Sequence, residues 1–114
     1  NTEITITKVF ATKNAGSFVA NSGEEFYGVT FDILTQNQPD SGRAWYGNSF
    51  ISHILTIDGV KYEQPSVFDP SEKDKIYANV KNSVTVYISI EQGENIASII
   101  VSDGKGNYVT ISTK

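Results

Sequence analysis

Any hydrolase built on a serine, histidine and aspartate would have to use His53, the one histidine of this chain. That residue falls inside Phe50 to Ile57, an apolar stretch that reads as a strand, and no G-x-S-x-G nucleophile elbow occurs anywhere in the chain. The same scarcity argues against zinc, whose ligands come mostly from several His or Cys side chains, since Cys is absent altogether. His53 is therefore read as a structural or surface residue. Glu24 and Glu25 are neighbours, and on a strand neighbouring side chains point to opposite faces, so they cannot share a proton as a glycosidase pair does. Asp103-Gly104-Lys105-Gly106-Asn107 is similar to the start of a calcium loop. It puts Lys105 at the third position, however, and Lys114 at the twelfth, where a bidentate Glu is needed, so a hairpin turn is expected. Asp69, Glu72 and Asp74 are the remaining carboxylate cluster and the only metal candidates, weak ones because Lys73 and Lys75 neutralise them. No catalytic residue, resident metal or cofactor is expected.

Trp45 and Tyr46 are the residues that most invite a ligand. An aromatic pair in a polar loop can stack on a sugar ring or anchor a protein partner. The alternative is that Trp45 turns inward and covers one end of the domain. Both readings stay open on the sequence alone.

The elements that would carry these residues are strands, because period-2 alternation recurs between clusters of Gly, Asn, Asp and Ser. Glu3 to Thr12 puts Ile4, Ile6 and Phe10 on one face. Glu25 to Thr35 alternates Tyr27, Val29, Phe31 and Ile33. Gln36 to Gly47 is read as a long irregular loop that contains Trp45 and Tyr46. Phe50 to Ile57 and Val60 to Gln64 form a hairpin across Asp58-Gly59, a pair suited to a two-residue type I′ turn. Asp69-Pro70 permits one short helical turn, with Asp as N-cap and Pro in the first helical position. Ser83 to Glu91 carries the strongest alternation, with Val84, Val86, Ile88 and Ile90 on one side and Thr85, Tyr87 and Ser89 on the other. Ile96 to Val101 and Tyr108 to Thr113 close the chain as a hairpin. Seven or eight antiparallel strands at intervals of roughly eight to twelve residues predict one all-β domain over residues 1–114, a two-sheet immunoglobulin-like β-sandwich.

Composition narrows the partners. Of 114 residues 39% are hydrophobic and 19% charged, which is enough apolar material for one core and too much for a disordered chain. Nine basic residues against thirteen acidic leave a net charge of −4, and the basic ones are scattered singly. Nucleic acid and anionic membranes both call for clustered Lys and Arg, so neither is an expected partner. The longest apolar runs are too short for direct membrane insertion by this segment. Polar outer faces and the net charge predict a monomer. The sequence begins at Asn1 without Met, so a processed form or a piece of a longer protein is expected, with any signal or anchor lying upstream.

Phe31-Asp32-Ile33-Leu34-Thr35-Gln36-Asn37 at a strand end, the Leu55-Thr56-Ile57-Asp58-Gly59-Val60-Lys61-Tyr62 hairpin, Val84-Thr85-Val86-Tyr87-Ile88-Ser89-Ile90 and the closing hairpin follow one another in a familiar order. The series resembles an uncharacterised family of immunoglobulin-like domains found in lipoproteins and membrane-anchored proteins of Gram-positive bacteria. Val80-Lys81-Asn82-Ser83 stands where that family often has a Pro-Gly-Glu turn, and the Trp45-Tyr46 loop has no counterpart there. The resemblance implies an extracytoplasmic, secreted or surface-anchored, non-enzymatic module that meets a protein or a cell-envelope glycan. It supplies no catalytic residue. The second reading is a carbohydrate-binding module using Trp45 and Tyr46.

Overall fold

The computed structural model describes residues 2–36, 45–46, 50–63, 67–68, 75–103 and 105–113. Within them the chain is all-β and every ladder is antiparallel. Among the described residues the strands are β1 (Thr2–Thr12), β2 (Asn14–Ala15), β3 (Phe18–Val19), β4 (Glu24–Thr35), β5 (Trp45–Tyr46), β6 (Ile51–Thr56), β7 (Lys61–Glu63), β8 (Val67–Phe68), β9 (Lys75–Ile76), β10 (Asn82–Glu91), β11 (Ile96–Ser102) and β12 (Tyr108–Ser112). One four-stranded sheet runs β1-β4-β10-β8 and a second runs β12-β11-β6-β7, while β2-β3 and β5-β9 form two small ribbons.

The two sheets share one core, as in a β-sandwich. Strand alternation sends Val29, Phe31 and Ile33 of β4 and Val84, Val86, Ile88 and Ile90 of β10 to the inner face of the first sheet. They meet Ile51 and Ile54 of β6 and Ile96, Ile99 and Val101 of β11. Phe31, Ile33, Ile54, Ile88 and Ile99 are fully enclosed. The shortest dimension of the molecule is 22 Å, which suits two sheets stacked about 10 Å apart with side chains on their outer faces. A polar bond ties the layers at one margin, where the backbone N–H of Glu91 donates to the Tyr62 hydroxyl at 3.3 Å.

Several expectations need correction. Phe10 does not share a face with Ile4 and Ile6. The ladder between β1 and β4 shifts between Ile6 and Lys8, a bulge that admits Thr7 as one extra residue and reverses the inward-outward alternation after it. Ile4 and Ile6 pack on the core, whereas Phe10 stands opposite Gly28 on the outer face, edge-on to Tyr87 with ring centroids 5.9 Å apart. Phe26 meets the same tyrosine at 6.3 Å, and Lys8 places its ammonium 5.0 Å from the centre of the Phe10 ring. A small aromatic cluster thus covers the back of the first sheet.

The β6-β7 hairpin forms, but its turn is not type I′. That turn needs positive φ at both central residues; Gly59 has φ 87° and Asp58 is not left-handed. Instead Gly59 N–H donates to the Thr56 carbonyl at 3.0 Å and Thr56 N–H to the Val60 carbonyl at 2.9 Å. These bonds describe a three-residue loop, a type I turn closed by a left-handed glycine. The Thr56 hydroxyl accepts from Val60 N–H at 2.9 Å and locks it. Between β1 and β4, Asn14 to Gly23 contains the β2-β3 ribbon. Val67–Phe68, to which the alternation assigned no strand, pairs with Tyr87 and Ile88 at the edge of the first sheet. Asp69-Pro70, where a helical turn was expected, lies outside the described residues.

Candidate functional site

The strand directions gather one set of connections at one end of the domain. β4 ends there at Thr35, beside the start of β1, and β10 begins there, since Asn82 pairs with Ile33. β6 begins there as well, and Ser102 N–H at the end of β11 donates to the Phe50 carbonyl at 2.9 Å. The β4-β6 connection, the β8-β10 connection and the β11-β12 hairpin therefore share this end.

Trp45 and Tyr46 belong to the first of these connections, and the structure corrects their expected place in an irregular loop. As β5 they pair with Ile76 and Lys75 of β9, so two connections that are remote in sequence are stitched into one ribbon. Ile76 anchors the ribbon, being 4% exposed and part of the core. The choice between ligand platform and core cover for Trp45 and Tyr46 rests on side chains outside those described.

The segment after β9 is exposed and apolar, with Tyr77 62% and Val80 52% accessible. It is held by its backbone. Asn79, in the left-handed region at φ 64°, donates its N–H to the Thr35 carbonyl at 2.7 Å, and the Asn82 side-chain amide donates to the carbonyls of Val80 at 2.8 Å and Tyr77 at 3.4 Å. Asparagine tolerates left-handed φ better than most residues, which accounts for its use at position 79. Tyr77 and Val80 escaped the sequence reading, because isolated apolar residues outside an alternating run carry no periodic signal.

The Asp103 to Asn107 segment is a hairpin connection, closed by Asp103 N–H donating to the Asn107 carbonyl at 3.1 Å. The Asp103 carboxylate is consumed inside it. Oδ2 accepts from the Asn107 side-chain amide at 2.7 Å, and Oδ1 accepts from the backbone N–H groups of Lys105 at 2.7 Å and Asn107 at 3.2 Å. The Asn107 amide first, and then these backbone donors, hold the carboxyl below its ordinary range. A depressed folded value means that the stabilisation is present above the unfolded value and is lost as pH falls through the folded one. The melting temperature of the native chain should therefore exceed that of Asp103→Ala by a constant margin from about pH 7 to pH 5, and the margin should shrink as pH drops below about 4. A margin indifferent to pH would mean that the carboxylate does not hold the turn.

The remaining candidates do not converge. His53 lies on β6 and shares a hydrogen bond of 2.9 Å between its Nδ1 and the Ser52 hydroxyl. Burial lowers its pKa and Lys61 on β7 pushes the same way, with Glu63 opposing, so the ring is neutral at pH 7. Glu24 accepts from the Asn21 amide at 3.0 Å and Glu25 from Gly93 N–H at 3.2 Å, two carboxylates with separate partners. Asp69, Glu72 and Asp74 lie outside the described residues. Among the described residues no three His, Cys, Asp or Glu side chains come together, and no helix is long and apolar enough to cross a membrane.

The class defined by these observations is an all-β, sandwich-like domain with antiparallel sheets. No protein-family model, curated protein or solved structure matches the chain.

Proposed function

We propose that this is an immunoglobulin-like, non-enzymatic binding module that works outside the cytoplasm of a bacterium, as part of a lipoprotein or surface-anchored protein. The observation that carries the reading is the strand order. β1-β4-β10-β8 against β12-β11-β6-β7 corresponds to A-B-E-D against G-F-C-C′, the arrangement of immunoglobulin sandwiches once the two small ribbons are set aside. In such domains the connections at one end carry recognition, whereas the sheets act as a scaffold. Here the corresponding end carries Tyr77 and Val80 in the open and the β5-β9 ribbon joining two connections. The extracytoplasmic setting follows the resemblance of the hairpin and strand motifs. The module is a monomer and takes a protein or glycan of the cell envelope. A photo-crosslinking residue at Tyr77, expressed in intact cells, should give an adduct with an envelope component; adducts with cytoplasmic proteins alone would defeat the reading.

A second reading, a carbohydrate-binding module, is favoured by one observation, the seating of Trp45 and Tyr46 in a strand pair rather than a free loop. A backbone already held in a strand pair loses less freedom on binding than a free loop does. On a glycan array this reading requires saturable binding that Trp45→Ala abolishes. No response at millimolar sugar leaves the protein partner.

A further inference from the structure

The margin between the sheets where β1 faces β12 is open. Two adjoining cavities of about 790 and 280 Å³ run along it. Ile4 and Ile6 of β1 line one side, Val109 and Ile111 of β12 the other, with Val101 and Ile99 of β11 between them. Both bounding strands are terminal in their sheets, so among the described residues each lacks a strand neighbour on this side.

The two edges differ. β1 is blunted by its bulge at Thr7 and by Lys8, two of the devices that keep sheet edges from pairing with other chains. β12, Tyr108-Val109-Thr110-Ile111-Ser112, has neither a charge, a proline nor a bulge, and Tyr108 and Val109 are each 61% exposed. Its backbone polarity can be assigned. Asp103 N–H donates to the Asn107 carbonyl and Thr113 N–H to the Ala97 carbonyl, so the odd-numbered residues turn their polar groups toward β11. The N–H and C=O groups of Tyr108 and Thr110 accordingly point away from β11, out of the sheet edge.

We propose that β12 receives an extended segment of another polypeptide, which adds a fifth strand to the β12-β11-β6-β7 sheet and inserts alternate apolar side chains into the seam. Only an extended chain presents donors and acceptors at the spacing of a strand edge, and the two-residue spacing of Ile4 with Ile6 and of Val109 with Ile111 matches its side-chain period. Along the seam Lys8 and Lys105 balance Glu3 and Asp103. The charge preference therefore comes from the whole chain, whose net charge of −4 opposes a second copy as the occupant and attracts a segment bearing Lys or Arg. The inference uses neither Tyr77, Val80 nor the β5-β9 ribbon and stands without the proposed function.

The test uses a capped, fluorescein-labelled peptide, Lys-Val-Thr-Val-Thr-Val-Lys, with the full chain. Saturable anisotropy is expected, together with slowed amide exchange at Tyr108 and Thr110. Thr110→Pro deletes one outward N–H and leaves the β11 ladder intact, as proline does on edge strands, and should weaken binding at least about tenfold. Val109→Lys keeps every backbone group, sets a like charge against the peptide, and should weaken binding even if the proline variant melts early. Three results would overturn the proposal: no binding at about millimolar peptide, a normal response from a folded Thr110→Pro together with Val109→Lys, or a dimer of the chain itself that Thr110→Pro dissociates.

Discussion

Urea melts of Ile88→Ala are expected to show a loss of about 2–5 kcal/mol, a large share of the roughly 5–15 kcal/mol that holds a domain of this size together. Ile88 is fully enclosed at the middle of β10, paired with Tyr27 of β4 on one side and Val67 of β8 on the other. Truncation removes three buried carbons and leaves a hole between two sheets that cannot close on it without breaking both ladders. Thr85, three residues away on the outer face, is the control. Its hydroxyl shares a 2.9 Å hydrogen bond with that of Thr30 across the β10-β4 pair, so Thr85→Ala should cost about 0.5–1.5 kcal/mol. Equal losses for the two variants would refute the assigned faces of β10.

A methyl group added at Gly28 should destabilise the domain, against the usual preference for alanine in a strand. It would fall within 2.7 Å of Cε1 and Cε2 of Phe10 and closer still to Cζ, because the Phe10 ring lies across the bare glycine backbone. Alanine gains about 0.5–1 kcal/mol over glycine in a strand interior, whereas displacing a packed ring costs about 1–3 kcal/mol, so the clash wins. The ring has little room to retreat, since Tyr87 stands edge-on to it and Lys8 lies against its face. In a Phe10→Ala background the obstacle is gone, and Gly28→Ala should become stabilising. A double-mutant cycle by thermal or urea melting reads the change of sign. If Gly28→Ala has the same effect in both backgrounds, the ring does not rest on the glycine.

Long alternation made the central strands legible. The Val84, Val86, Ile88, Ile90 run and the Tyr27, Val29, Phe31, Ile33 run each repeat one face four times, and both faces are buried as the period requires. What depends on a partner far away in the chain was not legible. Trp45 and Tyr46 form a strand only because Lys75 and Ile76 come alongside, and two residues contain no period. The same holds for Val67 and Phe68 beside Tyr87 and Ile88. Asp58-Gly59 identified the hairpin but not its turn, because a glycine with positive φ serves both a two-residue and a three-residue loop, and Ile57 continues the apolar run of the strand. Of the candidate site, the aromatic pair was visible as composition, while its attachment to β9 and the exposure of Tyr77 and Val80 are tertiary. The seam between β1 and β12 depends on two strands nearly a hundred residues apart.

The bulge at Thr7 leaves β1 with one residue more than its pairing uses. Ile6 stands opposite Phe31 and Lys8 opposite Thr30, neighbours on β4, so every pair on either side of Thr7 can be written without it. Elsewhere in the strand, losing a residue would carry all that follows to the wrong side of the sheet. Here the reading frame of the fold has a spare letter, and a version of the chain shortened by Thr7 would spell the same ladder at the cost of one bond from the Thr7 hydroxyl to the Thr30 carbonyl.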